Sequence, residues 1–138
     1  MKLLPIADQL STTLARMKFS PPVAYVYNPL EYARAGYEEY VTRYGTGRRE
    51  VILLGMNPGP FGMVQTGIPC GEVGLGRDWL GIETSIGRPP HEHPKRHVEG
   101  FACRRSEVSG ARLWGWARDT FGTPREFFKR FFVANYCP

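Results

Sequence analysis

The run Glu50-Val51-Ile52-Leu53-Leu54-Gly55 constrains this chain more than any other segment. Aliphatic residues follow one another with no polar alternation, the pattern of a strand inside a sheet covered on both faces. Directly after it comes Met56-Asn57-Pro58-Gly59-Pro60-Phe61-Gly62-Met63. In open α/β sheets ligands bind where strands end at their carboxyl side, so this loop is the first candidate for chemistry. Pro58 disfavours the helical region at Asn57 and so limits where its carboxamide can point. Pro58 and Pro60 carry no N–H, which leaves the amides around Gly59 and after Pro60 as donors for a ligand. Gly59 and Gly62 let a ligand approach the backbone closely. The loop therefore reads as one aimed carboxamide with a few backbone donors, set in advance. The same letters also serve as a structural turn. No Gly-Lys-Ser/Thr follows, so it is not a phosphate loop, and no central serine makes it a nucleophile elbow.

Elsewhere the chain alternates helical and strand-like stretches. Ile6, Leu10, Leu14 and Met17 predict an amphipathic helix after Pro5, ended by Ser20-Pro21-Pro22. Val23 to Tyr27 is a strand or an extended link. Asn28-Pro29-Leu30-Glu31 has the form of a capped helix start, with Glu31 placed for a capping box. Tyr37, Tyr40, Val41 and Tyr44 continue a helical face until Gly45 and Gly47. The glycine-dense stretch 55–76 and the proline-containing stretch 87–106 read as loops. Ser109 caps a helix through Leu113, Trp116, Ala117 and Thr120, and Thr123-Pro124-Arg125-Glu126 starts a short one. Phe131 to Tyr136 is a second buried-looking strand with one polar residue, Asn135. A lone carboxamide on an apolar strand is costly unless paired, with a ligand or with backbone. Helices alternating with buried strands indicate an α/β fold.

The chain has 138 residues, enough for one domain with a core. With 42% hydrophobic residues it is not a disordered tail, and it holds neither a long apolar run nor a secretory leader, which argues against membrane and secreted readings. Cys70, Cys103 and Cys137 are widely spaced and odd in number, which fits an intracellular, reducing setting and no zinc or iron–sulfur pattern. The net charge of +5 rests on 14 Arg and 4 Lys against 13 acidic residues. Arginine forks match phosphate oxygens well, so an anionic partner is consistent with the charge, as is an ordinary soluble surface.

Several blocks together resemble the single-strand-selective monofunctional uracil-DNA glycosylases. They are Gly55 to Met63, Gln65-Thr66-Gly67, Pro69, Gly71-Glu72-Val73, Arg77-Asp78-Trp79-Leu80-Gly81, Glu92-His93-Pro94-Lys95-Arg96, Ser106 to Arg112 with Trp114, and Asn135-Tyr136-Cys137-Pro138. The resemblance runs from about residue 28 to residue 138. It implies a three-layer α/β/α sandwich around a central, mostly parallel sheet, incomplete in this chain. It also implies a base-excision-repair hydrolase without cofactor or metal, acting as a monomer. Its partner would be DNA containing uracil or C5-oxidised uracil, single- or double-stranded, in the cytoplasm or nucleoid of a bacterium or the nucleus of a eukaryote. The base is expected to be flipped into a tight pocket. By resemblance, Asn57 places the attacking water and Asn135 reads the uracil edge. Met56 contacts the base through its backbone, and Gly59 and Met63 border the C5 substituent. An amide is no strong base, which suits a dissociative reaction in which water needs only placement.

Two departures accompany the resemblance. Cys70 stands where the family stacks a phenylalanine on the flipped base, and a thiol cannot supply the ~1–3 kcal/mol of aromatic stacking. The family's downstream His-Pro-Ser-Pro-like segment, whose histidine stabilises the departing uracil, has no counterpart in residues 1–138. His93-Pro94 is no substitute, because the family carries a similar segment there as well. The expectation is an N-terminal part of one domain, with residues 1–27 as helix and lead-in, and with little or no activity alone. The alternative is an inactive DNA-binding fragment. His91, His93 and His97 have uneven spacing broken by Pro94 and read as solvated loop rather than zinc site. Lys95-Arg96, Arg104-Arg105 and Arg125/Lys129/Arg130 could each meet phosphates or simply solvate a face.

Overall fold

The computed structural model describes residues 3–138. Residues 1 and 2 of the expected lead-in lie outside that range. The order is α1 (Leu3–Leu14), α2 (Pro29–Tyr32), α3 (Arg34–Tyr44), β1 (Val51–Gly55), α4 (Met63–Thr66), α5 (Val73–Asp78), a 3-10 turn (Gly100–Ala102), α6 (Val108–Phe121), α7 (Pro124–Phe128) and β2 (Phe131–Asn135). Among the described residues β1 and β2 form one two-stranded parallel sheet, in register from Val51 opposite Phe131 to Gly55 opposite Asn135.

The core forms where segments from both halves of the chain pack on the sheet. Trp114, Tyr40, Phe127, Ile68, Leu80, Ile82 and Val133 are fully buried. Phe127 stacks on Phe131 with centroids 5.2 Å apart, and Tyr44 on Phe128 at 4.1 Å. The Tyr40 hydroxyl donates to the Val133 carbonyl at 2.9 Å, tying α3 to β2 inside the core. Its phenol is raised well above the ordinary range, chiefly by burial, so it stays a neutral donor.

Several local expectations change. Helix α1 ends at Leu14, and its inward stripe runs through Leu3, Ala7, Leu10 and Leu14, leaving Ile6 and Met17 exposed. Val23 to Tyr27 is extended link, not strand. Asn28 does precede α2, but its amide donates to Ser11 Oγ at 2.9 Å instead of capping, joining α1 to α2. The glycine-dense stretch 55–76 is not all loop. It holds α4, ended by Gly67 at φ +74°, and α5, capped by the Glu72 carboxylate accepting from the Leu75 amide at 2.8 Å. Thr123 caps α7 as its sequence predicts, accepting from the Glu126 amide. Ser109 does not cap α6, which begins one residue earlier behind Glu107.

The larger correction concerns β1, which the unbroken apolar run predicted to be covered on both faces. Ile52 and Leu54 are 64% and 62% exposed, because no element among the described residues packs over them. An α/β arrangement with a parallel sheet is present; the full sandwich is not.

Glycine positions give a stability test. A Cβ on Gly36 would lie 1.9 Å from the Thr66 carbonyl oxygen, whereas one on Gly115 in α6 meets nothing within 4 Å. Gly36→Ala should cost about 1–3 kcal/mol or more through backbone overlap. Gly115→Ala should be neutral or stabilise by up to about 1 kcal/mol through helix propensity. Chemical denaturation of both variants checks the pair, and equal effects would contradict the packing.

Candidate functional site

Parallel pairing brings two carboxyl ends together. Gly55 ends β1 opposite Asn135 ending β2. Beyond them the chains stay paired, with the Tyr136 amide donating to Gly55 O at 2.8 Å and the Cys137 amide to Met56 O at 2.9 Å. A cavity of about 320 Å³ opens there, lined by Met56, Asn57, Gly59, Cys70 and Asn135 together with Gly55, Glu107 and Ser109. Five of the six residues singled out from sequence thus share one wall-to-wall site. Met63, the sixth, is fully buried beneath it, and its thioether sulfur accepts from Asn135 Nδ2 at 3.2 Å.

Asn135 is held on one side only. Its Oδ1 is buried and has no hydrogen-bond partner. Gly55 makes room for it: a Cβ there would lie 2.5 Å from that oxygen and 3.6 Å from Cys70 Sγ. A buried acceptor left empty beside a weakly engaged amide donor is a site for a ligand presenting a donor next to an acceptor. Asn57 is exposed, and its Nδ2 donates to the Pro58 carbonyl at 3.2 Å, which leaves its Oδ1 without a partner in that bond. Met56 is 74% exposed.

The loop's own donors are less free than its composition suggested. The Phe61 amide donates to Glu107 Oε2 at 3.3 Å, and the Gly62 amide to Gly59 O at 3.2 Å. Glu107 was not singled out from sequence. Standing in front of α6, it reaches back 46 positions to this loop. Its carboxylate fills the space that side chains at 59 and 62 would need, since a Cβ on Gly59 would lie 2.5 Å from Oε2 and one on Gly62 2.9 Å from Cγ. The glycines thus serve packing against Glu107 as well as ligand approach. No local signal marks that contact, because it joins two segments distant in sequence.

Cys70 adopts a left-handed backbone at φ +52°. That conformation is uncommon away from glycine and is held here from outside. The Trp114 indole N–H donates to the Cys70 carbonyl at 2.9 Å, and Gly110 of α6 lies against the same oxygen. The thiol is half-buried, so it borders the cavity as a small group without an aromatic face.

Of the three histidines, His93 Nδ1 accepts from the Lys95 amide at 3.0 Å, while His97 Nδ1 lies 3.5 Å from a Glu92 carboxylate oxygen. They go to separate partners, and among the described residues no cluster of three metal-ligating side chains occurs. Among the same residues no helix is long and apolar enough to cross a membrane.

Burial pushes the Cys70 thiol above its ordinary range, and the neighbouring Glu107 carboxylate pushes it further the same way. Both disfavour the thiolate. Alkylation across pH, followed at Cys70 by peptide mass spectrometry, should therefore show a midpoint above that of a free cysteine. Glu107→Gln should lower it partway, because burial remains. A midpoint at or below the free-thiol value would contradict this placement.

No protein-family model matches the chain. Over 130 residues, 94% of the chain, it is 55% identical to the single-strand selective monofunctional uracil-DNA glycosylase of Rattus norvegicus. The proteins of that name from Mus musculus and Bos taurus are 53% and 54% identical over the same share. The chain spans about half the length of these relatives, 47–48% of each. A crystal structure of wild-type Pedobacter heparinus SMUG2 superposes with a TM-score of 0.57 and 21% identity, over 96% of this chain and 53% of that one. That structural likeness fits the parallel-sheet α/β arrangement, and the sequence likeness is far stronger. The chain is a homologue of the single-strand selective monofunctional uracil-DNA glycosylases across the half of their length that it spans.

Proposed function

We propose that this chain carries the base-reading and water-placing part of a DNA glycosylase that hydrolyses the N-glycosidic bond of uracil. One observation carries the reading: Asn135 presents a buried, unpartnered Oδ1 beside its amide donor, in the same cavity as Asn57. The uracil edge offers an imide N–H next to a carbonyl oxygen, the complement of that pair. With Nδ2 turned toward the Met63 sulfur and Oδ1 toward Gly55, the carboxamide has its acceptor free for the imide proton. The Nδ2 group exchanges a weak sulfur acceptor for a stronger carbonyl one.

Asn57 accepts a hydrogen bond from water and aims it at the sugar carbon as the glycosidic bond lengthens. It does not take the proton outright, which fits a reaction where the sugar cation forms first. The backbone at Met56 and Gly59 borders the base. Gly59 and Met63 border the C5 edge of the base, which supports C5-oxidised uracils as well as uracil, and Cys70 lies at the stacking position without an aromatic face. DNA is the partner, bound by a monomer inside the cell. The leaving-group histidine of the family lies in a segment that residues 1–138 do not contain. We place these residues as part of a larger three-layer sandwich in which a further layer covers Ile52 and Leu54. Their exposure and the doubled length of the relatives support that placement.

The test joins this chain to the half of the rat relative that it does not align with. The joined protein should release free uracil from a uracil-containing single-stranded oligonucleotide. Asn57→Ala should slow it by roughly 100-fold, the scale of lost positioning. Asn135→Ala should lose discrimination between uracil and cytosine, whose edge reverses the donor and acceptor that the carboxamide meets. An intact joined protein that releases no uracil overturns the reading. The 138-residue chain alone should release little or none, and turnover near that of a full-length relative would overturn the division of labour.

A further inference from the structure

A second and larger cavity, about 700 Å³, lies on the other side of the Gly59–Phe61 loop from the Asn135 site. Its volume is within the range of small-ligand sites, about 300–1,000 Å³. Its wall combines aromatic and cationic side chains: Tyr25, Tyr27 and Phe61 with Lys95, Arg96 and Arg105. None of the resemblance-derived site residues lines it.

The cations are unspent. Among the described residues Lys95, Arg96 and Arg105 form no ion pair with a carboxylate, although eight Arg or Lys pairs with carboxylates occur elsewhere. Glu99 is the one carboxylate in the wall, and it forms no ion pair with these three cations. The Arg105 guanidinium lies over the Phe61 ring, 3.9 Å from its centroid, which leaves its N–H groups directed outward. Tyr25 meets the His93 ring edge-on at 5.0 Å and is 41% exposed, so an aromatic face remains open.

The wall is also built, not a chance gap between loops. Gln65 is nearly fully buried and uses both ends of its carboxamide: Nε2 donates to Pro60 O and His97 O, each at 3.1 Å, and Oε1 accepts from the Glu99 and Gly100 amides at 2.7 and 3.1 Å. It thereby locks the active loop to the segment that carries the cations. The Tyr27 hydroxyl donates to Arg96 O at 2.6 Å and accepts from the His93 amide at 2.8 Å, pinning the same segment from the other flank.

Unpaired cations beside an open aromatic face suit a phosphodiester carrying a base that can stack. Given the DNA reading above, on which this inference rests, we propose that this cavity is a subsite for a nucleotide next to the flipped one on a single DNA strand. Lys95, Arg96 and Arg105 meet the phosphates and Tyr25 stacks the base. The shared loop sets the separation of the two sites, so strand register is passed to Asn57 and Asn135 through Gln65.

The probe is a fluorescein-labelled ten-nucleotide thymidine oligomer, which holds no uracil, titrated by anisotropy at several salt concentrations. Lys95→Gln, Arg96→Gln and Arg105→Gln, all at exposed positions, should each reduce the slope of log affinity against log salt by about 0.7. Tyr25→Ala should weaken binding roughly 5- to 150-fold. It should have no effect on binding of an abasic deoxyribose-phosphate oligomer of the same length. No binding of the thymidine oligomer, unchanged slopes in the three charge variants, or equal loss of both oligomers in Tyr25→Ala each overturns the subsite. A phosphoserine peptide that outcompetes the oligomer at equal charge overturns it in favour of a protein ligand. A parallel titration of free uracil, read at the Asn135 side-chain amide by NMR, keeps the two readings apart. Retained uracil binding with insensitive oligomer binding sinks only the subsite. Absent uracil binding with the expected oligomer losses sinks only the base-reading role.

Discussion

Pairing of β1 with β2 in parallel is the constraint on which the site depends. Parallel strands end at the same edge, so Gly55 and Asn135, eighty positions apart, finish side by side. The helices between them provide the crossover that a parallel pair requires. Asn57 follows one strand end and Asn135 closes the other, and neither could meet the same ligand without that pairing. An antiparallel pair would send the two carboxamides to opposite ends of the sheet.

Close packing then fixes the loops around that edge. Trp114 and Gly110 of α6 hold the Cys70 carbonyl, Glu107 at the start of the same helix holds the Phe61 amide, and Gln65 holds the loop's far side. One helix thus positions two walls of the Asn135 cavity through an indole and a carboxylate. The arrangement is polar and nearly satisfied within the protein, which makes the unpartnered Asn135 Oδ1 conspicuous. Other unpartnered buried atoms exist, at Asn28, Arg34, Arg49 and Thr84, but none of them lines this cavity.

Much of the fold was legible along the chain. Both strands, the Gly45 stop after α3, the Thr123 cap and the proline- and glycine-rich loop after β1 lie where composition and turn chemistry put them. The misses share a cause. Asn28 and Ser109 are cap-forming residue types, yet Asn28 donates to Ser11 and the start of α6 is set by Glu107, whose side chain serves a distant loop. In α1 the inward stripe turned from Ile6 and Met17 to Leu3 and Ala7, since docking on α2 and α3 selected the face. Glycine density in 55–76 concealed two short helices because those glycines answer to neighbours packed against them.

By itself the sequence determined an α/β chain, a strand leading into a stiff asparagine-bearing loop, and a second strand ending in a lone asparagine. Residue chemistry and local backbone restriction suffice for that, since both act over a few positions. Only the tertiary structure decided that Asn57, Cys70 and Asn135 share a cavity, that Glu107 belongs to it, and that Ile52 and Leu54 face outward. It also decided that Lys95, Arg96 and Arg105 gather around Tyr25 on the far side of the same loop. These are contacts between distant segments, set by which faces pack and which strands pair, and no short window of sequence encodes them.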